Sequence, residues 1–293
     1  MLQVKKKEKN LNEDIILLNQ VSTYKNFCNF ERDDIEVIIN NHIVPIKFYD
    51  LSREKNKESK GNILNSENLK SNYSFYWNFS ELGIHNVLII FKKKLLQCNE
   101  LFKNCDSIYS IDCSNFDCSQ IIDCKLMFSQ CTSLKSINLG KLDFALSYDF
   151  SSMFHNSNNL EKLDVSYLNT KNSKSFNSMF YGCIKLKEIN VSNFKTTNCE
   201  NIANMFSNCS SLKSIDMLNW DMKNINYIEG LFGGCSNLKN IKMNFNNNNK
   251  AKCNKNLYIF YGLPEGGSFV WKKGTDCNRI LELLPASWNW TQE

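Results

Sequence analysis

Proline is nearly absent from this chain: 3 residues in 293, beside 11 glycines, so few of its turns depend on proline. Long apolar runs are missing too. The best of them, Val87 to Phe91, is far too short to span a bilayer, so no transmembrane segment is expected. The opening stretch from Met1 to Gln20 is charged and never reaches the apolar centre of a secretory signal. Charge of one sign is also missing: a net +5 lacks the dense Lys and Arg clusters of a nucleic-acid binder. Histidines number 3 (His42, His85, His155), in no metal-ligand spacing. His155 is expected on a solvated surface. No HExxH, CxxC, P-loop, GxGxxG or GxSxG motif occurs. The expectation is a protein that is not an enzyme, with no catalytic residue, no cofactor and no bound metal.

Cysteine, asparagine and apolar residues are what the chain has in quantity. Hydrophobic residues are 42% and charged residues 22%, enough for a substantial core. The 13 cysteines are an odd number in a chain without a visible export signal. They read as mostly free thiols in a reducing compartment. A cytoplasmic location is expected, with the cell surface, reached by non-classical export, as the alternative.

A repeat organises the middle of the chain. One aromatic recurs at Phe102, Phe128, Phe154, Phe180, Phe206 and Phe232, each step 26 residues without an insertion. Three residues later come Cys105, Cys131, Ser157, Cys183, Cys209 and Cys235; six later, Ile108, Leu134, Leu160, Leu186, Leu212 and Leu238. Positions nine and eleven later are apolar as well, for example Ile215 and Met217. The Phe and Cys columns are the expected core. Ile202, Met205, Phe206 and Cys209 carry the i, i+3, i+4, i+7 spacing of a helix stripe, and Ile215 and Met217 alternate with polar residues as in a strand. One unit cannot bury its own apolar face, so units must stack. The expected fold is an α/β repeat solenoid, a stack of one short helix and one short parallel strand per unit.

The recurring L-x-x-I-x-L with MF-x-x-C-x-x-L resembles the 26-residue bacterial surface protein repeat of the BspA-like leucine-rich-repeat family. The resemblance implies a leucine-rich-repeat-like solenoid given to protein contact rather than catalysis.

Four segments are expected: a flexible basic tail at 1–24, a β-rich N-terminal cap at 25–94, six repeats at 95–245, and an Asn-rich linker with a C-terminal cap at 246–293. In the cap, strands should flank an Asn40-Asn41 turn; near the end, a short helix should run from Thr275 toward Pro285. The function expected is a non-catalytic protein-interaction module, monomeric, binding a protein partner. The alternatives are a surface adhesin exported without a visible signal and, more remotely, a metal or redox protein using the cysteines from Cys98 to Cys131. The candidate partner-binding strand face carries Asp112, Asn138, Asp164, Asn190 and Asp216, ten residues past each Phe, with Lys187, Lys213 and Lys239 at its edge.

Overall fold

Ile202 to Cys209 has the apolar spacing of a helix, yet the chain there is a run of tight turns. The computed structural model describes residues 1–6, 15–21, 35–39, 42–44, 48–50, 73–77, 83–92, 94–140, 142–244, 258–272 and 281–293. Among these no helical element occurs, and the repeats wind as a β-solenoid of about six turns. The expected α/β stack of helix plus strand is therefore corrected.

The reason lies in the backbone. Asn204 and Asn208 have φ of 55° and 59°, in the left-handed region that a right-handed helix cannot include. Amides along this run then alternate in direction. Those of Ile202, Asn204, Phe206 and Asn208 donate to the carbonyls of Tyr227, Glu229, Leu231 and Gly233 in the next coil. Those of Met205, Ser207 and Cys209 close on carbonyls three residues back. Lateral bonding by every second residue is strand behaviour. The segment turns tightly and still stacks on its neighbours. Its apolar spacing marks which residues face inward, and helix and turn run satisfy that pattern equally.

Each coil bends at three corners, and most of these are formed by a short polar side chain. In one coil Asn201 accepts from the Ala203 amide, Asp216 from the Leu218 amide and Asp221 from the Lys223 amide, at 2.9, 3.0 and 3.0 Å. These are Asx turns, which do the work that proline or glycine does elsewhere. Between corners the coils pair in parallel. The main strand side comprises β8 (Ile108–Asp112), β9 (Ser136–Asn138), β10 (Lys162–Leu163), β11 (Ser214–Met217) and β12 (Asn240–Met243). A second ladder of single bridges links Gln97, Asp123, Asp149, Ser175, Asn201 and Tyr227 in order.

Inside, the repeat Phe rings stack face to face. Centroids lie 5.4 to 5.9 Å apart from Phe102 to Phe232, and all six rings are buried. The stack continues onto Phe260, 6.1 Å from Phe232, so a further turn follows at a spacing of 28 residues. Its Phe269 and Trp271 fill the inward columns of β13 (Ser268–Trp271), which pairs in parallel with β12 and then with β14 (Asn289–Gln292). Trp288 is buried there, with Leu281 and Leu284 packed against the core. The Asn-rich stretch and most of the expected helix from Thr275 lie outside the described residues.

At the other end β1 (Leu2–Lys6) lies antiparallel between β8 and β7 (Gly83–Phe91), covering the first coil's strand edge. It falls in the segment expected as a loose tail. β3 (Ile35–Ile39) and β4 (His42–Val44) pair antiparallel and extend this sheet, while the expected turn residues Asn40 and Asn41 lie outside the described residues. β2 (Ile15–Val21), β6 (Tyr73–Trp77) and β5 (Phe48–Asp50) form a separate antiparallel sheet.

Candidate interaction faces

On the candidate strand face Asp112, Asn138 and Asp216 point outward from β8, β9 and β11, Asp164 and Asn190 hold the equivalent positions of their coils, and all five are exposed. They are also corner residues. Each accepts the amide two residues on: Ser114, Gly140, Ser166, Ser192 and Leu218, at 2.9 to 3.0 Å. Asp112 further accepts from the Asn138 side-chain amide of the next coil at 3.0 Å. The hydrogen bonds from Ser114 hold the Asp112 carboxyl below its usual range, and those from Ser166 do the same for Asp164. These side chains therefore keep fixed orientations, with one oxygen engaged in the fold. Lys187, Lys213 and Lys239 are exposed and stacked in consecutive coils, the Lys213 amide donating to the Lys187 carbonyl at 3.3 Å and the Lys239 amide to the Lys213 carbonyl at 3.0 Å. The structure thus places the acidic-amide column and the lysine column on one side of the coil.

The cysteines are a different matter. All ten in the described residues are buried, including the six from Cys98 to Cys131. Burial pushes the thiols of Cys113, Cys118, Cys183, Cys199 and Cys235 up to about 12. The thiolate is the reactive form, so these sulfurs are chemically quiet. Their work is structural: the thiols of Cys131, Cys183, Cys209 and Cys235 donate to the carbonyls of Phe102, Phe154, Phe180 and Phe206 in the preceding coil. Ser157, the exception in the column, makes the same bond to Phe128 at 2.9 Å. No group of three potential metal ligands occurs among the described residues. His155, expected to be solvated, is half-buried and stacked on Tyr181 with centroids 4.8 Å apart.

A second exposed side, eight to ten residues past the strand face, was not singled out by sequence reasoning. Asn172, Asn198 and Asn224 stand there in register, each donating one side-chain N–H to a carbonyl of the coil before, at 2.6, 3.1 and 2.7 Å. Two residues further along each coil come Tyr148, Lys174, Glu200 and Asn226. Together they line an open polar groove of about 770 Å³. Lys174 and Glu200, of opposite charge, face each other's coils on this side. The signal in the sequence was the triple asparagine at a 26-residue interval.

Residues 96–214 and 185–263 match the model of the family described as "Mycoplasma protein of unknown function, DUF285", and the two stretches together cover more than half of the chain. No curated protein and no solved structure matches the chain.

Proposed function

For a chain that belongs to the DUF285 family of Mycoplasma proteins of unknown function, we propose a non-catalytic repeat module that binds a protein partner along the strand face of its solenoid. One observation carries this reading: the three-lysine column. Lysines stacked in consecutive coils repel one another, so the fold gains nothing from them, whereas an acidic partner surface would. The neighbouring Asp and Asn side chains are held in place by their turns, which lowers the ordering cost of binding. Kinship with BspA-like repeats belongs to the same proposal. So does a reducing, cytoplasmic setting, supported by ten buried cysteines outside any disulfide.

The test is affinity capture by the full chain from its source cells, with bound proteins identified by mass spectrometry. Exchanging Lys187, Lys213 and Lys239 together for Glu should remove the main captured protein. Reversals at Lys185 and Glu229, exposed elsewhere on the coils, should leave it. Retention of the same protein at the same yield by the triple variant would defeat the proposal. Asp164→Lys and Asp216→Lys are poor probes, since each removes the oxygen that forms a corner.

A further inference from the structure

We infer that the polar groove running from Tyr148 to Asn226 is a binding site for an extended, neutral polysaccharide. The site is built from repeated parts. Each asparagine spends one side-chain N–H on the coil before it. The three side chains are exposed and line the groove, and each amide has a second N–H and an Oδ1 with which to meet a ligand. The same bond to the coil before thus recurs on three consecutive coils, each supplying one donor and one acceptor to the groove. The interval between them is that of a parallel ladder, about 4.8 Å, which is comparable to one pyranose unit of an extended glycan. Sugar hydroxyls donate and accept at the same oxygen, as this array requires. Tyr148, exposed at one end, offers a ring for stacking against a sugar face, and the Glu200 carboxylate can accept strongly from hydroxyls.

Other extended polymers fit poorly. Main-chain amides that an added peptide strand would use are already engaged: Lys174 donates to the Tyr148 carbonyl, Glu200 to Lys174 and Asn226 to Glu200, each at 2.8 Å. The groove has no apolar pocket to read peptide side chains, its single aromatic side chain lying at one end. It has one lysine and one glutamate, so it cannot neutralise a row of phosphates.

The test uses the full chain and calorimetric titration with soluble cello-, chito-, malto- and laminari-oligosaccharides of two to six units. Heparin and an extended polar decapeptide serve as comparators. One neutral series should bind, with affinity rising to about four units, the number of coils lining the groove, and level thereafter. Tyr148→Ala and Glu200→Ala should each weaken it at least tenfold without moving the melting temperature. The Lys213→Glu variant should bind the glycan normally, which separates this site from the strand face. The inference is overturned if no neutral series binds at millimolar concentration. Binding only of heparin or the peptide, or affinity unchanged in the Tyr148→Ala/Glu200→Ala double variant, would overturn it equally.

Discussion

The thiol of Cys209 donates a 3.0 Å hydrogen bond to the carbonyl of Phe180, 29 residues earlier and one coil back. That carbonyl also receives the Cys183 amide at 3.1 Å, so the thiol joins two turns of the solenoid at one oxygen. The position asks for a small side chain with a donor. Ser157 meets the demand in the third coil.

Cys209→Ser should therefore be tolerated, and Cys209→Val should not. Loss of the donor at a buried site is worth about 1 kcal/mol, to which misfit of the branched side chain adds. Urea midpoints of the two variants check this; equal stability would mean that the column is only filler.

Alkali should unfold the protein. Burial raises the Cys183, Cys199 and Cys235 thiols from 9.0 to about 12, so the folded state holds protons that the unfolded state releases. Their contribution is complete below pH 9 and is lost as pH rises toward 12. Urea midpoints should be flat from pH 7 to 8.5 and fall steeply above 9. A flat profile to pH 11 would contradict the burial of these sulfurs.

Phe180→Ala should cost roughly 3–5 kcal/mol, the range for truncating a buried aromatic. Its ring is fully buried between Phe154 and Phe206, at 5.8 and 5.5 Å. Denaturant melts measure it, and a change under 1 kcal/mol would not fit the stack.

Asp123→Asn should stabilise the protein. Burial first, and then the Asp149 charge in the next coil, raise the Asp123 carboxyl above its ordinary range. A raised carboxyl costs stability at neutral pH, and that cost disappears as pH falls through its folded pKa. Asparagine keeps the acceptor for the Lys125 amide, as Asn201 does for Ala203 two coils beyond Asp149. A gain of a few tenths of a kcal/mol at pH 7, shrinking in acid, is expected from paired thermal melts.

Gly182→Ala should destabilise by about 1–2 kcal/mol, because its φ is +70° and an added Cβ would meet Oδ1 of Asn156. Asn156→Gly in the same chain should recover part of the loss. Strict additivity of the two changes would show that the side chains do not meet.

The repeat and its inward columns were legible because one coil must present the same apolar face to the next. Phe206, Leu212 and Ile215 are all buried, as their columns require. The conformation of Ile202 to Cys209 was not legible from hydrophobic spacing, which records facing and not dihedrals. A second signal was present. Two residues past each Phe stand Asn104, Gln130, Asn156, Gly182, Asn208 and Gly234, all at positive φ. A column so rich in Asn and Gly marks left-handed backbone. Asp112 to Asp216 were legible as an exposed row, but their part in the corners shows only in the amides they accept. The turn carrying Phe260 escaped because the 26-residue interval stretches to 28 there.

Because each of the 26-residue coils is secured by contacts 25 to 29 residues away, the loop closed on adding one has nearly the same length throughout the six repeats. Its entropic cost is then also nearly constant, since closure entropy depends on loop length. Only the first pair of coils must form without a template. Growth from that pair proceeds as a zipper, in either direction, at a rate that does not fall as more repeats are added. Evolution can lengthen or shorten such a rod by whole repeats without altering the kinetic problem that the chain must solve.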